Sequence, residues 1–263
     1  MTARSIPSGF ASLLELLELE QPRVVTTAQI GDFAQNAGLA IPVDVAVRRL
    51  RERGWLLPLA TRGVWEFAPA ARAGAFGSGD PLIELRAILA RDPQAPYMVA
   101  AESAAYLLGL TSRRPEIESV SAPQGARVPT GLADYRIARW SPVVAPVRRD
   151  GLPTWSSESL LAFMATKPSG YRDWPNVGEW LHQAVSTVNL DDLARELDGR
   201  SAGSWARAGY LLDMGGASEA ARELMARAPA GSGPYYLGDR SRPGRHSRVY
   251  DVIDSTGIEV GVE

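Results

Sequence analysis

The sequence predicts an α+β protein in two parts, and three observations carry that prediction. The first 72 residues hold three helix-period apolar stripes and two short β-like runs. Ala73-Gly74-Ala75-Phe76-Gly77-Ser78-Gly79 reads as a linker. From residue 80 to 263 helical stripes resume around a block of short, Pro- and Gly-punctuated β-like runs at 115–147, the pattern of a larger mixed α/β domain. With 45% hydrophobic residues among 263, both parts are able to bury a core.

Each element of the first part has a local cause. Phe10, Leu13, Leu14 and Leu17 fall at i, i+3, i+4 and i+7, which predicts a helix over 9–20 that Pro22 stops. Val24-Val25 is a short extended piece. Thr26-Thr27-Ala28-Gln29 fits a capping box, opening a second helix that runs to about Ala37, with Gly38 as its stop. Pro42 suits the first position of a third helix over 42–53. There Val43, Ala46, Val47 and Leu50 form the inward stripe, while Val45, Arg48, Arg49 and Glu52 project oppositely, with Asp44 and Arg51 on a flank. Trp55–Leu59 and Val64–Phe67 read as strands of a hairpin around Ala60-Thr61-Arg62-Gly63. Helix, short strand, helix, arginine-bearing helix and hairpin, in that order, predict a winged helix-turn-helix at 1–72.

In the second part, helices are expected through Ala90, over 100–108, after Ser156-Ser157-Glu158, around Val177–Val188, and at 191–197, 204–214 and 218–228. Ile117–Ser121, Tyr135–Trp140 and Ser247–Ile253 read as strands.

The net charge of −2 disfavours a non-specific nucleic-acid coat, yet charge is unevenly placed. Residues 41–72 carry six Arg against three acids. Lys167 is the only lysine, so the positive charge is almost all guanidinium, which suits forked contacts to guanine and phosphate. The base composition of a G+C-rich genome is the plainer account of that bias.

Placed third in the winged-helix order, Arg48 and Arg49 are candidates for base or backbone contact, and Arg51 and Arg53 for phosphates. Thr27 and Gln29, near the start of the second helix, are candidate phosphate donors, and Arg62 a minor-groove or phosphate contact from the wing. Taken without that order, the same arginines read as a solvated helix face. The expected partner is double-stranded DNA. Arg113, Arg114, Arg127, Arg136, Arg139, Arg148 and Arg149, and the basic run Gly238–Arg248, either extend that footprint, meet an acidic protein, or are solvated loops.

Other chemistry has little support. There is no cysteine, hence no disulfide, thiolate metal site or thiol nucleophile. The two histidines, His182 and His246, are too few for a convincing metal cluster. No phosphate loop, dinucleotide fingerprint or nucleophile elbow is present. Asp191-Asp192 reads as a helix start, and Asp251 with Asp254 as a solvated strand edge as readily as a carboxylate pair. No catalytic set, cofactor or metal is expected. The sequence holds no run of about 18 apolar residues and no signal peptide, so a cytoplasmic protein is expected.

The order of several segments resembles the AbiEi-type antitoxins of type IV toxin–antitoxin systems. These are Val25–Ile30, Val47–Leu56, Arg62–Phe67, Ser103–Leu110 and, as in actinobacterial members, Ser204–Gly216. The resemblance implies a DNA-binding autorepressor that recognises an operator, expected to be an inverted repeat, through Arg48, Arg49, Arg51, Arg53 and Arg62. It also implies a larger domain that opposes a nucleotidyltransferase-like toxin without a tight complex. A one-component, ligand-responsive winged-helix regulator is the alternative, and its second domain should hold a mostly apolar pocket with a few polar groups.

Overall fold

Helix α1 (Ala11–Glu20) turns the predicted stripe inward: Phe10, Leu13, Leu14 and Leu17 are buried. The computed structural model describes residues 6, 9–71 and 77–258. It divides into two compact units, Met1–Pro96 with Arg127–Asp134, and Tyr97–Ala126 with Tyr135–Glu263.

In the first unit, strand β1 (Val24–Thr26) runs directly into α2 (Thr27–Asn36). The predicted capping box forms: Thr26 Oγ1 accepts the Gln29 amide at 3.1 Å, and Gln29 Oε1 accepts the Thr26 amide at 2.9 Å. At the far end Gly38 takes φ +71°, letting Leu39 N–H reach back to the Ala34 carbonyl at 2.9 Å and close the helix. Helix α3 (Val43–Glu52) begins one residue later than expected, with Pro42 outside it. Its Ala46, Val47 and Leu50 are buried, and Val43 packs half-buried on the same core. Each fully buried aliphatic side chain there contributes about 1.5–3 kcal/mol. Gly54, at φ +74°, ends α3 as Gly38 ends α2.

Strands β2 (Leu56–Pro58) and β3 (Val64–Phe67) pair antiparallel, and β1 joins on the other side of β3. Alternation puts Trp65 and Phe67 on the face packed against α1–α3, and Val64 and Glu66 on the opposite face. That second face needs cover, and α4 (Ile83–Arg91) lies against β1 and β3 with Leu85, Ala87 and Ile88 buried.

The expected boundaries therefore shift. Residues 73–76 of the expected linker lie outside the described residues. Residues 77–79 run past Glu66, which accepts the Ser78 amide, and a Cβ on Gly77 would meet its Oε2 at 2.6 Å. Residues 80–96, expected in the larger domain, belong with the first unit because α4 completes its sheet.

Asp80 starts this segment. Its Oδ1 accepts the Leu82 amide at 2.9 Å, while Oδ2 accepts from Arg86 Nε at 2.6 Å and Arg23 at 3.3 Å. Burial pushes the carboxyl up, but the Leu82 amide, Arg86 and Arg23 outweigh it and hold the pKa below the ordinary value. A depressed carboxyl stabilises the fold above its unfolded pKa, about 3.9, and that contribution is lost as pH falls through the folded value. Asp80→Asn is accordingly expected to lower the urea midpoint at pH 7, with the difference from the parent narrowing at acid pH as the folded-state carboxyl is protonated. An equal difference at neutral and acid pH contradicts this.

The second unit is built on a five-stranded mixed sheet. Strand β4 (Met98–Val99) leads into α5 (Ala101–Leu107), followed by β5 (Ser119–Ala122), β6 (Arg136–Arg139), β7 (Val147–Arg149) and β8 (Leu152–Thr154). The order is β6-β5-β4-β8-β7, with β5–β6 and β4–β8 parallel and the remaining pairs antiparallel. Helix α6 (Ser157–Thr166) is buried almost all round, from Glu158 to Ala165. The main core gathers around it: Trp155 and Phe163 are buried, with ring centroids 4.9 Å apart.

Two expectations change here. The single helix expected over 177–188 is a 3-10 stretch, Trp174–Glu179, followed by a short α7 (Leu181–Ser186), consistent with Pro175 and Gly178 interrupting the helical pattern. Helices α8 (Leu190–Leu197), α9 (Ala202–Met214) and α10 (Ser218–Ala226) follow as expected within two residues, and strand β9 (Tyr235–Leu237) succeeds them. The expected strand 247–253 is instead a hairpin, β10 (Arg245–Ser247) and β11 (Val252–Asp254), reversing through Asp251 at φ +50°. Strand β9 pairs parallel with β11.

Buried carboxylates tie this unit together. Glu196 is fully buried, and its Oε1 accepts the Val143 and Val144 amides at 3.0 Å each and the Ser159 hydroxyl at 2.8 Å. Glu102 accepts the Ser119 hydroxyl at 3.0 Å and the Arg172 amide at 2.7 Å, and pairs with Arg136 at 3.4 Å.

Candidate nucleic-acid interface

With α3's apolar stripe docked, geometry fixes where its arginines point. At 100° per residue Arg48 lies on the outward face beside Glu52, with Arg49 and Arg51 on opposite shoulders. All three are exposed, and so is Arg53. Arg49 lies over the Phe10 ring at 5.8 Å and Arg51 over Trp65 at 4.7 Å. These aromatic faces restrict the two guanidinium groups without neutralising them. Among the described residues, no carboxylate is paired with Arg48, Arg49, Arg51 or Arg62. Of the three acids counted near them, Glu66 is buried, so its charge is withdrawn from the surface. Arg72 lies outside the described residues.

The hairpin tip is held from both sides. Thr27 donates its amide and its hydroxyl to the Gly63 carbonyl, at 3.0 and 3.2 Å. Glu84 of α4 accepts the Ala60 amide at 2.6 Å, the Thr61 amide at 3.3 Å and the Thr61 hydroxyl at 3.1 Å. Exposed Arg62 stands between these two anchors.

The sequence-predicted site residues thus gather in one unit with different duties. Thr27's hydroxyl donates to the Gly63 carbonyl, so it helps position the hairpin. Gln29 is exposed; its Oε1 serves the capping box, which leaves the Nε2 hydrogens as its outward donors. Glu84 was not identifiable from the sequence, because its partners lie 23 and 24 residues away. Glu84→Ala leaves backbone donors at the tip unsatisfied and is expected to cost about 1–3 kcal/mol of first-unit stability. A urea midpoint equal to that of the parent contradicts the anchor.

The other basic residues are largely engaged. Arg113 pairs with Glu179 at 3.0 Å and Arg114 with Glu118 at 2.5 Å, and Arg148 donates to the Gly151 carbonyl at 3.0 Å. In the 238–248 run Arg242 faces Asp239 at 3.6 Å, and His246 meets Asp251 at 2.9 Å. His182 instead meets the Gly215 carbonyl at 3.0 Å. Among the described residues no three metal-ligating side chains group together, and no helix is long and apolar enough to cross a membrane.

Comparison with known proteins adds a family. Residues 97–214 match the model of the AbiEi antitoxin C-terminal domain. The chain is also similar to the RV2827C protein from Mycobacterium tuberculosis, known from a crystal structure. That likeness has 30% identity and a TM-score of 0.78, and covers 97% of this chain and 94% of that one. No curated protein matches.

Proposed function

We propose, for a chain that belongs to the AbiEi antitoxin family, that its first unit is a winged helix-turn-helix through which it represses its own operon. The antitoxin role comes with the family, which is not an enzyme family. The single observation that carries the DNA reading is the exposed Arg48-Arg49-Arg51 face of α3, unpaired with carboxylates beside a hairpin that presents Arg62. Helix α3 is the recognition helix, with Arg48 aimed at base edges. Arg49, Arg51, Arg53 and Gln29 meet phosphates, and Arg62 tracks the backbone or the minor groove. The target is an inverted repeat in the chain's own promoter. The opposed toxin is nucleotidyltransferase-like and is countered without a tight complex, in the cytoplasm. A second reading, a ligand-responsive regulator, draws on a cation-lined cavity in the second unit.

Fluorescence anisotropy with the promoter duplex tests the proposal. The parent should bind that duplex more tightly than a scrambled one. Arg62→Ala should weaken both alike and reduce the slope of log affinity against log salt by about 1. Equal affinity of the parent for both duplexes contradicts operator recognition.

A further inference from the structure

The cavity lies wholly within the second unit, has a volume of about 270 Å³, and is walled by β6, the start of α5, the end of α6 and the turn after it. Four of its lining side chains are cationic, Arg136, Arg139, Lys167 and Arg172, and none is acidic. Arg136 pairs with Glu102 at 3.4 Å, and among the described residues no carboxylate is paired with the other three.

The four cations have different freedom. Arg139 spends Nη1 on the Pro123 and Ala126 carbonyls, at 3.1 and 2.6 Å, and supplies field rather than that donor. Lys167 gives one hydrogen to the Arg139 carbonyl at 2.6 Å, and an ammonium has two more. Arg172 is exposed, while its backbone amide is pinned to Glu102 at 2.7 Å, so the root of its side chain is fixed. Ser169 adds a hydroxyl, and Phe163 an apolar wall. Like charges gathered this closely repel unless an anion sits among them, and a guanidinium beside an ammonium is a phosphate-binding set.

We propose that this cavity binds a small phosphorylated molecule, with Lys167 and Arg172 on the phosphoryl oxygens and Phe163 against the carbon part. Its size, just under the roughly 300–1,000 Å³ of drug-sized sites, fits a sugar phosphate better than a dinucleotide or a peptide. None of its lining residues is among those proposed to meet DNA.

Isothermal titration of the full chain with inorganic phosphate and with ribose 5-phosphate tests this, with ribose as the uncharged control. Saturable binding of both phosphates, and none of ribose, is expected. Arg172→Gln, whose exposed side chain makes it a mild change for the fold, should weaken binding roughly tenfold or more, as loss of a charge-assisted hydrogen bond does. Lys167→Gln should do the same, and Arg148→Gln, outside the cavity, should leave binding unchanged. Circular dichroism confirms that each variant is folded. The proposal is overturned if neither phosphate binds saturably, or if both bind equally well to the Arg172 and Lys167 variants. It is also overturned if Arg172→Gln weakens only a DNA duplex, which would assign these cations to a nucleic-acid surface.

Discussion

Glu196→Ala should destabilise the second unit by about 1–3 kcal/mol or more, the cost of leaving buried donors without their acceptor. Glu196 is fully buried, and one of its oxygens takes three donors: the Val143 and Val144 amides and the Ser159 hydroxyl. Alanine removes the acceptor and leaves those donors without it, each at about 1–3 kcal/mol before the site relaxes. It also leaves a cavity between α8, α6 and the segment after β6. Glu196→Gln keeps an acceptor of the same shape and should recover most of the loss. Urea unfolding followed by tryptophan fluorescence measures it cleanly, since Trp140, Trp155, Trp174, Trp180 and Trp205 all lie in this unit. A midpoint unchanged in the alanine variant would show that the network contributes little.

Arg48→Ala should cost about 1–3 kcal/mol at the operator, roughly a 5- to 150-fold loss of affinity. Arg48 stands on α3's outward face, and among the described residues no carboxylate is paired with it. The side chain supports no part of the core, so the variant's thermal unfolding should match the parent's. Arg49 and Arg51 should matter differently. Their guanidinium groups rest on Phe10 and Trp65, so Phe10→Leu or Trp65→Leu should weaken binding partly by releasing an arginine. Lost affinity in Arg48→Ala with parental stability separates recognition from folding.

Much of the first unit was legible because its signals are local. Pro22, Gly38 and Gly54 sit where helices stop, and each apolar stripe fell on a buried face. What was not legible depends on distance along the chain. The stripe of α4 announces that Leu85 and Ile88 are buried, yet not that they cover β1 and β3. The Gly-rich 77–79 stretch looks like a linker, but Glu66, more than ten residues earlier, holds the Ser78 amide. Thr27 and Glu84 became anchors of the hairpin tip only once α2 and α4 were placed beside it. One signal was present and unread: Asp150-Gly151 between Val147–Arg149 and Leu152–Thr154 is a two-residue hairpin turn, with φ of +49° and +75°. The cationic cavity draws on residues from 101 to 172, and no sequence window contains it.

The central claim is that outward guanidinium groups of α3 distinguish one DNA sequence from another. Its most direct test is the ratio of affinities for promoter and scrambled duplexes, measured at fixed salt for the parent and for the Arg48→Ala/Arg49→Ala double variant. The account predicts a clear preference in the parent that collapses toward unity in the folded double variant. A double variant that keeps the parental ratio would contradict it.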